Sequence, residues 1–262
     1  MIQDKAKVVI IGGGVIGCSV AYHLSKLGWN DIVLLERKQL TSGTTWHAAG
    51  LIGQLRASAN MTKLAKYTQE LYFDLEKETG VSTGFKRVGS ISVALTNERM
   101  EELKRSAAMA RAFGVDVEEI SPHEIQNRYP HINLECVVGG VFLGKDGQGD
   151  PANIALALAK GARQLGAKIH ERVTITKVFK NQNKVSGVEW TDQHGERGYI
   201  ACEEIVNCAG MWGHSVGKML GTNIPLHACE HFYIVTEPLS LIHISEPTRR
   251  YAISYAVFCL KK

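Results

Sequence analysis

Apolar residues fall in short runs along the chain, and their periods predict strands and helices in alternation. Residues 7–11 form a continuous apolar run, the pattern of a strand buried on both faces. Residues 12–17 then open a helical repeat that continues to Leu27 and stops at Gly28, and 32–35 supplies the next strand, completing a strand-helix-strand unit. Residues 62–78 repeat amphipathically up to Gly80, 89–95 alternate like a half-buried strand, and 98–113 repeat helically up to Gly114. Ser121, with Pro122 after it and Glu124 three positions on, predicts a capped helix start. A strand over 137–143, a polar turn over 145–150 and an Ala- and Leu-rich helix over 151–165 follow. Short strands are expected around Ile169 and over 173–179, 185–190 and 199–201, and an apolar strand over 205–208. The fold class is α/β. A nucleotide-binding domain is expected over 1–85 and 150–221, with a partial α+β domain, for substrate, over 86–149 and 222–238.

Chemistry enters at the first turn. Gly12, Gly14 and Gly17 stand in GxGxxG spacing between a strand and a helix. The first glycine permits the tight turn, the second lets backbone approach a pyrophosphate, and the third lets helix and strand pack closely. Val15 and Ile16 present N–H groups at the positive end of a helix, where an anion is favoured. Glu36 ends the second strand nineteen residues after Gly17, placed to accept both ribose hydroxyls of an adenosine and to disfavour the extra phosphate of NADP. FAD and NAD share this loop. A later strand ending in Ala209 and Gly210, within VNCAGMW, brings backbone to the same dinucleotide and resembles a second FAD signature.

The string LTSGTTWHAAGL, residues 40–51, follows Glu36 and Arg37 and carries a closer resemblance. It resembles the sarcosine and dimethylglycine dehydrogenases and related N-methyl amine oxidases, and the likeness continues through LIGQLRAS, ETGVSTGF and FLGKDGQGDP to CEHFYIVTE. The resemblance implies a Rossmann-like FAD-binding domain of the GR2/DAO type and FAD bonded through its 8α carbon to His47. Ser42, Thr44, Thr45 and Trp46 would line the flavin, Leu51 would pack near it, and Val173 would touch the adenine. His231 and Tyr233 match a His-x-Tyr pattern that faces the substrate. By the same resemblance the reaction is oxidation of sarcosine, dimethylglycine, 4-methylaminobutanoate or a similar N-methyl amine. Hydride passes to flavin N5, water converts the iminium to formaldehyde, and oxygen or an electron-transfer flavoprotein takes the electrons. A folate-binding portion is expected in the full-length protein alone. The regulatory protein of pyruvate dehydrogenase phosphatase shares the segment around IPLHACEHFY but lacks the attachment histidine, and a non-catalytic subunit on the same fold is the alternative.

Composition narrows the rest. With 262 residues and 45% hydrophobic content the chain can bury a sizeable core. Its apolar runs fall short of the roughly 20 residues that cross a bilayer, so no membrane span is expected. The first residues lack the order of a signal or transit peptide, so the expected location is cytoplasmic. The formal net charge is +4, of which Arg249, Arg250, Lys261 and Lys262 against Glu246 account for +3, and no nucleic-acid partner is implied. Cys18, Cys136, Cys202, Cys208, Cys229 and Cys259 form no CxxC pair, which predicts buried free thiols and no metal site. From Leu239 the chain loses its amphipathic period. It back-translates into the fixed parts of a transposon-type sequencing adapter, with index bases at Arg250, Tyr251 and Ala252. The natural gene is therefore expected to continue past Pro238, and the chain as it stands is expected to be an N-terminal fragment that folds poorly and does not turn over.

Overall fold

The computed structural model describes residues 2–130, 132–182 and 184–230. His231, Tyr233 and the segment from Leu239 lie outside the described residues. The chain divides into two compact units. The first is built from Met1–Ala48, Asp74–Gly84 and Asp150–Glu230, and the second includes Ala49–Phe73 and Phe85–Gly149.

In chain order the structure runs β1 (Lys5–Ile11), α1 (Val15–Lys26), β2 (Ile32–Glu36), a 3-10 turn (Thr45–His47), β3 (Leu51–Ile52), α2 (Ala59–Thr79), β4 (Ser90–Ala94), α3 (Asn97–Ala112) and β5 (Glu118–Ile120). It continues with α4 (Pro122–Arg128), β6 (Gly139–Leu143), β7 (Gly147–Gln148), α5 (Pro151–Gln164), β8 (Lys168–Glu171), β9 (Val173–Asn181), β10 (Lys184–Asp192), β11 (Arg197–Asn207), a second 3-10 turn (Gly210–Trp212) and α6 (Gly213–Met219).

The first unit holds one sheet of six strands in the order β8-β2-β1-β11-β10-β9. Four of them are parallel: β1 pairs with β2 on one side and β11 on the other, and β2 pairs with β8. A parallel sheet is covered on both faces, which is why Val8 to Ile11 of β1 and Ile32 to Leu35 of β2 read as unbroken apolar runs. Val8, Val9, Ile10, Ile32, Val33 and Leu34 are all buried, each worth roughly 1.5–3 kcal/mol relative to exposure. The other pairings are antiparallel, β11 with β10 and β10 with β9. The two runs expected as separate strands, 199–201 and 205–208, are one strand, β11. Its first part, to Ala201, pairs with β10, and from Ala201 to Asn207 it pairs with β1.

Helices α1 and α5 pack on each other. The Tyr22 ring lies where a side chain at Gly161 would sit. Its hydroxyl donates to Glu78 and accepts from Lys26 Nζ at 3.0 Å, tying α1 to the last turns of α2. Asp150 caps α5 by accepting from the N–H groups of Ala152 and Asn153.

The second unit is an α+β assembly. Strands β4, β6 and β5 form an antiparallel sheet in that order, and Leu103, Ala107 and Ala110 of α3 pack with Ala94, Val141 and Leu143 of the sheet. The expected cap at Ser121 is a full capping box: Ser121 accepts from Glu124 N–H, and the Glu124 carboxylate accepts from Ser121 N–H at 2.8 Å. The cysteines depart from expectation. Cys18 and Cys202 are buried and Cys208 half-buried, but Cys136 and Cys229 are exposed, Cys136 at a left-handed turn position (φ +68°) outside any strand or helix.

Candidate dinucleotide site

The site begins where three strand ends of the first unit converge. Gly12 N–H donates to Leu35 O at 2.9 Å and Cys208 N–H donates to Ile11 O at 2.8 Å, so the ends of β2 and β11 flank the turn after β1. Gly12 has φ +109°, a backbone state that side chains rarely adopt, and a Cβ there would overlap the Cys208 carbonyl oxygen. Gly17, one turn into α1, faces the Gly12 carbonyl so closely that a Cβ would collide with it. Helix and strand therefore meet only because both positions lack a side chain.

Glu36 is held by backbone on both carboxylate oxygens. Oε2 accepts from Gly13 N–H at 2.6 Å and Oε1 from Lys38 N–H at 2.8 Å. A carboxylate has about four acceptor positions, so two remain for ribose hydroxyls. Arg37 turns the other way, its guanidinium carbon 4.0 Å from the centre of the Trp212 ring, in cation–π contact. Thr45 is buried at 7% exposure, and its hydroxyl oxygen accepts from Val15 N–H at 2.9 Å. The turn thus docks on the amino end of α1.

These groups surround a cavity of about 340 Å³, inside the range of roughly 300–1,000 Å³ usual for ligand sites. Of the residues expected to bind a cofactor, Gly12, Gly14, Val15, Ile16, Glu36, Arg37, Ser42, Thr44, Thr45, Val173, Ala209 and Gly210 line it. Gly17 does not, because it is packed behind the loop. Trp46 and His47 do not line it either: they lie on the exposed side of the 3-10 turn, with ring centres 3.8 Å apart. Leu51 is exposed and belongs to the second unit. The lining also contains Lys38, Gly43, Thr174, Ile175, Cys208, Trp212, Ser215, Val216 and Met219, none of them assigned to the cofactor from the sequence. Ser215, Val216 and Met219 line it from α6, a short helix with two glycines and no side-chain cap that the sequence pattern does not announce.

The wall holds no activated thiol. Burial pushes Cys208 up to about 11, and Cys18 beneath the loop up to about 12, so both stay protonated at neutral pH. The glycine cradle, the helix amino end and the fixed carboxylate are the features a dinucleotide requires, and the lining fits FAD in this respect.

A family model described as FAD dependent oxidoreductase matches residues 7–258. The mitochondrial pyruvate dehydrogenase phosphatase regulatory subunit of Mus musculus is 44% identical over 236 residues, 89% of this chain and 26% of that protein. Mitochondrial sarcosine dehydrogenase of Homo sapiens is 42% identical over 242 residues, 90% of this chain and 26% of that protein. This chain thus spans about a quarter of the length of these two relatives. Among solved structures, L-proline dehydrogenase from P. horikoshii superposes with a TM-score of 0.77 at 26% identity, covering 84% of this chain and 57% of that one. The expected cytoplasmic location finds no support in the two relatives, both described as mitochondrial. No helix among the described residues is long and apolar enough to cross a membrane. With the family match extending over most of its length and a dinucleotide cradle at the head of its parallel sheet, the chain belongs to the FAD-dependent oxidoreductase family.

Proposed function

We propose that this chain is the FAD-binding part of an enzyme that oxidises an N-methyl amine, of the sarcosine, dimethylglycine or 4-methylaminobutanoate type, and releases formaldehyde. The observation that carries the reading is the chain order of Glu36, Thr45 and His47: a fixed carboxylate, a residue docked on the helix end, and an exposed imidazole two positions later. In this reading Glu36 holds the adenosine ribose and the N–H groups of Gly14 and Ile16 face the pyrophosphate, that of Val15 being taken by Thr45. Val173 touches the adenine, Ala209 and Gly210 bring backbone to the dinucleotide, and His47 holds the flavin covalently. When bound, FAD accepts hydride at N5 from the carbon beside the amine nitrogen. The chain's residues supply position: Arg37 stacked on Trp212 lines the cavity beside the loop, and the Cys208 thiol in its wall stays protonated. His231 and Tyr233 are assigned to the substrate side, and the α+β part to a partial substrate domain. Oxygen or an electron-transfer flavoprotein takes the electrons, and folate enters through parts of the full-length protein that this chain lacks.

An imidazole is suited to attachment because its neutral nitrogen is nucleophilic near pH 7. Exposure of His47 supports the role, since a ring packed into the interior could not reach a ligand. The test is a denaturing gel of the full-length protein, washed in acid and viewed under ultraviolet light. A fluorescent band is expected from the wild type and no band from His47→Ala, with FAD still bound noncovalently by the variant. Acid-stable flavin retained unchanged in His47→Ala would overturn the assignment. The second reading, a regulatory subunit without turnover, is favoured by the 44% identity to such a protein. It predicts no acid-stable flavin and no flavin bleaching by any N-methyl amine in a substrate panel.

A further inference from the structure

We propose that Thr45 is a positioning residue for flavin attachment, its hydroxyl fixing the turn that carries His47 to the first turn of α1. The inference rests on the reading of His47 as the attachment residue. Thr45 is buried, whereas Thr44, Trp46, His47 and Ala48 around it are exposed, so its side chain anchors an otherwise solvent-facing segment. The anchor is polar: Oγ1 accepts from Val15 N–H at 2.9 Å across 30 residues of chain. Val15 N–H is a first-turn donor without a partner inside the helix, and Gly14 at the cap has no side chain to offer it one. The approach also depends on Gly14, where a Cβ would lie 2.9 Å from Thr45 Oγ1.

From Thr45 the chain is locked as far as Ala48. His47 N–H donates to Thr44 O at 3.3 Å and Ala48 N–H to Thr45 O at 3.1 Å, closing the turn. The indole of Trp46 lies against the imidazole, with an interplanar angle of 38°. This hydrogen bond, together with packing of the turn on α5, sets where His47 sits relative to the helix end. That distance has to be right for bond formation, because the phosphates and the ring being attacked belong to one molecule.

Attachment forms a bond from an imidazole nitrogen of His47 to the flavin 8α carbon and breaks one 8α C–H bond and the imidazole N–H bond. Both hydrogens and the two electrons end on the isoalloxazine, which is thereby reduced, and the acceptor of the amine reaction reoxidises it. A hydroxyl that only positions should change the rate of this step at full loading, and its removal should be reversible by any residue that restores the oxygen.

The experiment uses full-length protein made flavin-free and then given saturating FAD. Acid-stable fluorescence is followed in time, and total bound flavin is measured in the same samples before acid. Per bound flavin, Thr45→Val is expected to attach about ten- to a hundredfold more slowly than wild type, and Thr45→Ser within about threefold of wild type. A wild-type rate in loaded Thr45→Val overturns the proposal, as does a Thr45→Ser variant as slow as Thr45→Val. If Thr45→Val does not fold by circular dichroism, Thr45→Ser decides alone, since slowing beyond about tenfold leaves the hydroxyl irrelevant. Absence of acid-stable flavin in the wild type, or its persistence in His47→Ala, strikes the reading of His47 itself and is distinguishable because both controls stand in the same assay.

Discussion

At the scale of the residue, the site is built as much by absent side chains as by present ones. Gly17 faces a backbone carbonyl, which no rotamer change can move, so Gly17→Ala must push α1 off β1. We expect a cost of about 1–3 kcal/mol, read as a fall in the urea midpoint with the slope unchanged. Gly195→Ala serves as the comparison, since its φ of +82° brings strain but no atom lies within 4 Å of the added Cβ. Cys18 supplies a second prediction. Its thiol is pushed up from 9.0 to about 12 by burial, so above pH 9 the unfolded chain ionises there while the native one does not. The native state then binds more protons than the unfolded state, and stability falls as pH rises from 9 towards 12. Urea midpoints measured at pH 8 and pH 10 should drop more steeply for wild type than for Cys18→Ala, and equal slopes would show that the thiol is not coupled to folding.

At the scale of the element, what the sequence made legible depended on whether the signal was local. The helix at Ser121 announces itself in four residues, and the box is present. Ser121→Ala is expected to cost about 1 kcal/mol, measurable as a lower thermal midpoint, with Ser121→Asp restoring most of it. The helical repeats of α2, α3 and α5 were visible for the same reason, an apolar period bounded by a cap or a glycine. Strand β11 was split in two because its middle residues, Cys202 to Glu204, break the apolar run: Glu203 and Glu204 are exposed although the strand pairs with β1 from Ala201 to Asn207. Helix α6 was invisible because Gly213 and Gly217 are poor helix formers and no side chain caps it. Tertiary packing overrides that weakness: a Cβ at Gly217 would lie 2.8 Å from the Ile224 side chain, so the glycine is what lets the following loop close over the helix. The site residues missed at Ser215, Val216 and Met219 follow from that single omission.

At the scale of the whole molecule, the first unit draws its central sheet from both ends of the described chain, and β1 pairs with β11 across nearly 200 residues. No local pattern states that pairing. The loop and the carboxylate were legible because they fall within 25 consecutive positions, 12–36, whereas Trp212 and α6 join the cavity only once the sheet has closed. The same closure makes the cofactor part of the fold's stability, because the cavity wall is assembled from β1, β2, β9 and the segment after β11. A ligand that binds only the native state at a hundred times its dissociation constant stabilises by about 2.7 kcal/mol, and that contribution vanishes on dilution when the ligand is free to leave. In full-length His47→Ala, the thermal midpoint should therefore climb with added FAD and fall again after desalting. In the wild type a linked flavin is not lost with the solvent, so its midpoint should be the same before and after desalting and insensitive to added FAD. If the wild-type midpoint follows free FAD as the variant's does, the flavin is held by mass action alone, and the role given to His47 in holding the native state is withdrawn.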